Sequence, residues 1–211
     1  LSSSSAASDV YKRQAMKDLL QIKISLDGSD PGIWRRVVLH RDTTFFELHH
    51  ILQISMGWQN YHMFEFSLEG YRIGMISEED ESDGYGTDKL LDCQITKLSD
   101  VLSDTNDVVN YVYDFGDYWK HTLCIEAELD ANNLFIYPIC LAGEMACPPE
   151  DCGGLHGFYE NLKILKDKKH PEYLDTKTWM PRGYDHQKFT LDKVNRQLLL
   201  LSQYIAKWLR R

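Results

Sequence analysis

Two stretches of this sequence concentrate groups able to move a proton or hold a metal. Asp114-Phe115-Gly116-Asp117-Tyr118-Trp119-Lys120-His121 supplies two carboxylates and an imidazole. Cys147-Pro148-Pro149-Glu150-Asp151-Cys152-Gly153-Gly154 supplies two thiols and two more carboxylates, with a third thiol, Cys140, just upstream. Acid–base chemistry needs such groups held in place beside a reacting bond. Two prolines before Glu150-Asp151 and two glycines after it fix the backbone in the required way. Asp114, Asp117, His121, Glu150 and Asp151 are therefore the candidate catalytic residues, of the kind a hydrolase would use. The same acids have an ordinary structural use. Asp114 or Asp117 can close a turn by accepting backbone N–H bonds, and Glu150 or Asp151 can cap the helix that follows. Asp114-Phe115-Gly116 matches one piece of a protein kinase. The Gly-rich loop, strand lysine and His-Arg-Asp loop that a kinase also needs are absent, as is a Gly-x-Ser-x-Gly nucleophile elbow.

Soft thiolates and an imidazole arranged as a tetrahedron suit zinc. Cys140, Cys147, Cys152 and His121 form a candidate Cys₃His set, and zinc is the one cofactor that the residues suggest. The thiols are spaced C-x₆-C-x₄-C, without the C-x₂-C knuckle of common zinc sites. The alternative is three small buried residues around a Pro-rich loop. A further set is conditional on the fold. His49 and Gln53, four apart, share a helix face, and His62 leads into the next strand. If the sheet brings His49, His62, Asp117 and His121 together they make a metal or proton-transfer centre; otherwise each is a histidine satisfied inside the fold. In Trp34-Arg35-Arg36, strand alternation turns Arg35 away from its neighbours, and an arginine there can pair with the carboxylates above. Trp34, Arg36, His49, His62 and Trp119 complete the list as candidate binding residues.

These groups must be positioned by an α+β domain. Leu20–Leu26 and Ile33–Leu39 alternate apolar and polar around a turn-rich Asp27–Gly32 and predict a hairpin. Thr44-Phe45-Phe46-Glu47 reads as a capping box opening a helix that Gly57 closes. Met63–Leu68 and Tyr71–Met75 predict a second hairpin, and Leu98–Leu102 a short helix. Val108–Tyr113 and Thr122–Leu129 predict two more strands, which leaves the Asp114–His121 motif in the loop between them. Cys124 falls in the second strand's apolar run and reads as core. Beyond residue 130 prolines and glycines break the pattern. Helices follow over Gly157–Lys166 and from Leu191 to the end, the latter with an apolar stripe through Val194, Leu198 and Ile205. The expected architecture is α+β: a mostly antiparallel sheet with a β-grasp-like hairpin–helix–hairpin core, helices on one face, and a C-terminal helical extension.

The chain has 211 residues, 43% of them hydrophobic, enough for one domain. Residues 1–15 are Ser-rich and aperiodic and lack the apolar stretch of a signal peptide, so they read as a non-native or disordered leader. The domain then spans 16–211, with a sheet core over 16–130 and a Pro/Gly-rich loop and helices over 131–211. The formal charge is −9. Such an acidic domain repels phosphate backbones, which argues against a nucleic-acid partner. The basic clusters Lys163–Lys169 and Lys207–Arg211 read as solvated helix faces. The acidic run Glu78–Gly84 reads as a solvated connection and fits a calcium loop poorly. No stretch is apolar enough to cross a membrane, and five cysteines without an export signal point to a reducing, cytoplasmic setting.

Several of these residues together carry a family resemblance. Ile33-Trp34-Arg35-Arg36, Leu48-His49-His50-Ile51-Leu52-Gln53, Met56-Gly57-Trp58, His62, Tyr113–Asp117, Trp119, His121 and Cys147–Gly154 resemble the Ri-plasmid open-reading-frame-three-like family over roughly residues 17–195. The resemblance implies an α+β fold with a β-grasp-like core and a plasmid or mobile-element association; some members carry a resolvase label. It assigns no catalytic residue. His156 stands where an aromatic is commoner in that family, and other residues often occupy the place of Cys152, so a metal site needing Cys152 would not be family-wide. Two functions follow from the residues: a non-enzymatic module that binds a protein or small ligand, or a metal-dependent or acid–base hydrolase centred on His121, Asp117, Glu150 and Asp151.

Overall fold

The structure, a computed structural model, describes residues 17–76, 88–103, 105 and 107–210. The leader and the acidic Glu78–Gly84 run lie outside the described residues. The described chain runs β1 (Leu19–Leu26), β2 (Trp34–His40), α1 (Phe45–Met56), β3 (Phe64–Leu68), β4 (Tyr71–Gly74), β5 (Lys89–Asp92), α2 (Leu98–Val101), β6 (Val108–Tyr113), β7 (Trp119–Leu129), β8 (Ile139–Glu144), α3 (Gly154–Lys166), α4 (Tyr173–Trp179), α5 (Leu191–Leu198) and α6 (Leu201–Trp208).

The strands form one sheet in the order β5-β4-β3-β6-β7-β1-β2-β8. Every neighbouring pair is antiparallel except β4 with β5. The hairpins on either side of α1 are not adjacent, because β6 and β7 lie between them. Period-two alternation gives the sheet one covered and one open face. Leu20, Ile22, Ile24 and Leu26 of β1 and Trp119, His121, Leu123 and Ile125 of β7 point into the core. Lys23, Arg36, Glu126 and Cys124 point the other way. Cys124 is therefore exposed rather than core, being one residue out of phase with Leu123 and Ile125. On this open face Arg36 makes two bonds to Glu126, at 2.5 and 2.7 Å, and Lys23 and Arg36 lie over the Trp34 ring.

Helix α1 has the expected ends. Thr44 Oγ1 accepts from Glu47 N at 3.2 Å, Glu47 Oε2 accepts from Thr44 N at 3.0 Å, and Gly57 stops the helix at φ 93°. Every α1 residue but Glu47 is buried, because α5 and α6 cover its far side while the sheet covers the near one. His49, His50, Gln53 and Ser55 are thereby enclosed in the core.

The elements differ from the sequence expectation in several places, and β5 and α4 are absent from it altogether. β7 starts at Trp119, so Trp119 and His121 belong to a core strand and only Asp114–Tyr118 is turn. The C-terminal helix breaks at Leu199-Leu200 into α5 and α6. α3 starts at Gly154. The Pro/Gly-rich stretch contains an edge strand, β8, whose small residues give little signal and whose pairing comes from β2.

Candidate functional site

The two motifs meet at the end of the sheet where β6 passes into β7. Asp114, at φ 59°, opens the turn, and its Oδ1 accepts from Gly116 N at 2.9 Å and Asp117 N at 3.3 Å. Asp117 Oδ2 in turn accepts from Gly153 N at 3.2 Å, in the turn ahead of α3. Trp58, just beyond α1, donates from Nε1 to Pro148 O at 2.9 Å and stacks on Tyr113 with centroids 5.0 Å apart. Glu150 has both oxygens engaged: the Tyr113 hydroxyl donates to Oε1, and Gln59 N donates to Oε2 at 2.8 Å. Burial, helped by Glu150, raises the Tyr113 pKa, so the phenol stays a donor.

His62 lies at the seam. Its Nε2 is 3.1 Å from Asp151 Oδ1 and 3.6 Å from Asp114 Oδ2. That nitrogen is enclosed without a well-aligned hydrogen bond. Ligand atoms of His62, Asp114 and Asp151 all lie within 4.8 Å of one another, the one such group of three or more His, Cys, Asp or Glu among the described residues. Asp114 is buried and Asp151 exposed, so the cluster reaches solvent. It borders an open cleft of about 860 Å³ with Phe115 and Trp208 on its walls. Two carboxylates and one imidazole suit a hard or borderline divalent cation.

The thiols and His121 do not join that cluster or form one of their own. Cys140 lies on edge strand β8 with Sγ 3.4 Å from Ala142 O, and Cys152 Sγ is 3.7 Å from Gly154 O. Burial raises the Cys147 pKa and pushes Cys152 up to about 12, which keeps both as thiols. His121 is fully buried, with Nδ1 3.0 Å from Trp119 O and Nε2 enclosed without a partner. Burial lowers its pKa to about 4. The conditional set of His49, His62, Asp117 and His121 does not converge either. His49 is satisfied in the core, Nδ1 2.8 Å from the Tyr111 hydroxyl and Nε2 2.8 Å from Asn60 Oδ1, flat against Phe64. Burial holds its pKa well below the usual imidazole value. Trp119 is core, and Trp34 and Arg36 lie on the open face of the sheet, away from both motifs.

A second, more enclosed cleft of about 470 Å³ lies between the C-terminal end of α1, the Cys147–Asp151 turn and α5. Arg35 lines it at 2% exposure, with Nε donating to Ser55 O at 2.8 Å. The sequence reading has Arg35 pair with the motif carboxylates; its bonds go instead to the backbone carbonyls of Ser55, Trp34 and Glu144, and among the described residues it has no carboxylate partner. The available signal was its phase: it shares the β2 face of Val37, and that face is covered. Trp58, Tyr113 and Asn60 were also missed, since each is an ordinary aromatic or polar residue until its partners are known.

Comparison with known proteins places this architecture in a family. The profile of the plasmid pRiA4b ORF-3-like protein family matches residues 18–193. A protein of Sinorhizobium fredii (strain NBRC 101917 / NGR234), described as uncharacterized protein y4hQ, is 32% identical over 195 residues, covering 92% of this chain and 95% of its own length. The crystal structure of MM3350 from Methanosarcina mazei Go1, a protein of unknown function, superposes with a TM-score of 0.74 at 34% identity, covering 82% of this chain and 96% of that one.

Proposed function

This chain belongs to the plasmid pRiA4b ORF-3-like family, and from that premise we propose that it is a non-enzymatic module that binds a small ligand or a protein segment in the 470 Å³ cleft. The observation that carries this reading is how the candidate catalytic acids are used. Asp114 Oδ1, Asp117 Oδ2 and both oxygens of Glu150 accept hydrogen bonds from the two loops and from Tyr113 and Gln59. His121 is walled into the core at low pKa. These bonded oxygens are committed to bracing the two loops, and Glu150, held at both of its oxygens, lines the wall of the cleft. We read β1–β2, α1 and β3–β4 as a β-grasp-like frame behind that wall. The net charge of −9 disfavours a nucleic-acid partner. Among the described residues no helix is long and apolar enough to cross a membrane.

The test is turnover. Model esters, phosphodiesters and peptides are incubated with the full chain, with and without Zn²⁺ or Mn²⁺. The expected result is no rate above background in wild type and no difference in His62→Ala. Turnover abolished by His62→Ala would overturn the reading.

A second reading, metal-assisted hydrolysis, is favoured by one observation: the convergence of His62, Asp114 and Asp151, the first two of which line an open cleft. Three ligands with room for water match the donor count of a catalytic metal centre.

A further inference from the structure

We infer that the 470 Å³ cleft takes a small organic acid, an apolar body whose single carboxylate lies against Arg35; this rests on the binding-module reading and names the ligand class. Arg35 is only 2% exposed, yet every acceptor it has is a neutral carbonyl. Nε donates to Ser55 O at 2.8 Å, and Nη1 donates to Trp34 O at 2.7 Å and Glu144 O at 2.8 Å. Among the described residues Nη2 has no acceptor and no carboxylate is paired with the guanidinium. The groups that perturb it electrostatically are Cys147, Cys140 and Tyr184, all neutral near pH 7 because burial raises their pKa values. An arginine stays a cation when buried, and a buried cation on neutral acceptors alone is costly until an anion joins it.

The surroundings hold the guanidinium in place and select the ligand. Its Cζ lies over the Phe189 ring, 4.2 Å from the centroid. A Cβ on Gly143 would stand 2.8 Å from both Arg35 Cδ and Phe189, so this strand position has made way for the stack. Trp58, Pro148 and Trp179 supply apolar wall, and Lys188 and Lys193 put like charge at the rim. The volume is within the range of small-molecule sites, about 300–1,000 Å³. With Nε and Nη1 occupied, the guanidinium can meet the carboxylate only through Nη2. Glu150 and Asp151, which also line the cleft, repel a second negative charge and so favour a monoanion over phosphate.

The experiment titrates the full chain with benzoate and hexanoate, with their neutral amides benzamide and hexanamide, and with inorganic phosphate. Tryptophan fluorescence reports binding, since Trp58 and Trp179 line the cleft. The expected result is saturable binding of the acids, at least about tenfold tighter than the amides or phosphate. Arg35→Met is expected to abolish the acid preference. If that variant does not fold, the double variant Lys188→Glu/Lys193→Glu, at two exposed positions, decides instead. It is expected to weaken acid binding severalfold and leave amide binding unchanged. Equal affinity for acids and amides, or phosphate binding tighter than the acids, would overturn the organic-acid inference while leaving the module reading intact. Binding of none of these probes would also overturn it, and the module reading would still be judged by turnover.

Discussion

Gly154 packs against Asp117 so closely that a Cβ on the glycine would stand 2.6 Å from the Asp117 carbonyl oxygen. Gly154 also has φ +66°, a conformation that other residues seldom adopt. Backbone therefore meets backbone where the two loops touch, and the Gly153 N–H bond to Asp117 Oδ2 lies beside that contact. Gly154→Ala is expected to destabilise the fold by about 2–4 kcal/mol through combined clash and strain. Urea denaturation measures it. A loss below about 0.5 kcal/mol, the range of a neutral surface change, would mean the loops are not locked at this point.

The Tyr113–Glu150 bond joins the end of β6 to the Pro-Pro turn, and Tyr113 also accepts from Tyr61 N at 3.0 Å. Removing either end leaves a partly buried polar group short of a partner, which costs about 1–3 kcal/mol. Tyr113→Phe and Glu150→Gln are each expected to fall in that range. The double variant is expected to cost less than the two single losses added together, because the pair is one interaction. A double-mutant cycle that sums to zero coupling would contradict the bond's place in the brace.

What the sequence disclosed was mostly local. The Thr44–Glu47 capping box and the Gly57 stop are written in short-range chemistry and stand where the residue types put them. So does the use of Asp114 as a turn acceptor. Alternation likewise divided each strand into two faces but could not say which face would be covered. That is why Cys124 reads as core and is exposed, and why Arg35 reads as a polar residue opposite Trp34 and is buried. The break at Leu199-Leu200 was illegible because the leucines there are good helix formers. The His62–Asp114–Asp151 cluster joins residues from three separate segments, so only the fold discloses it.

Three buried histidines make stability depend on pH. Burial lowers the pKa of His50 to about 4 and of His121 to about 4, and holds His49 well below the ordinary imidazole value. Each is neutral in the folded state and takes up a proton more readily when unfolded. Their contribution is therefore complete above about pH 6.5 and is lost as pH falls toward about 4. Each histidine contributes a slope of up to about 1.4 kcal/mol per pH unit in that window. The melting temperature is expected to fall steadily from pH 7 to pH 5, and His50→Gln is expected to flatten that fall. A flat profile over the same interval would show that the folded state protonates these rings without strain.

The His62 cluster makes the sharpest prediction, because it separates the two functional readings. If the cluster binds a divalent cation, the metal draws on His62 Nε2, Asp114 Oδ2 and Asp151 Oδ1, the atoms whose spacing defines the cluster. Asp114 Oδ2 is free for that role, because the turn's amide bonds fall on Oδ1. Mn²⁺ titration followed by electron paramagnetic resonance, with Zn²⁺ in competition, is then expected to give one saturable site. His62→Ala and Asp151→Asn are each expected to weaken it by about tenfold or more, in line with losing one of three protein ligands. Asp151 is exposed, so its replacement leaves packing alone and isolates the ligand effect. Cys147→Ser and Cys140→Ser are expected to leave Mn²⁺ affinity unchanged, because those thiols lie outside the cluster. Absence of a saturable site in the wild-type chain would reduce His62 to a bridge between two acids, and the metal-assisted reading would lose its one supporting observation.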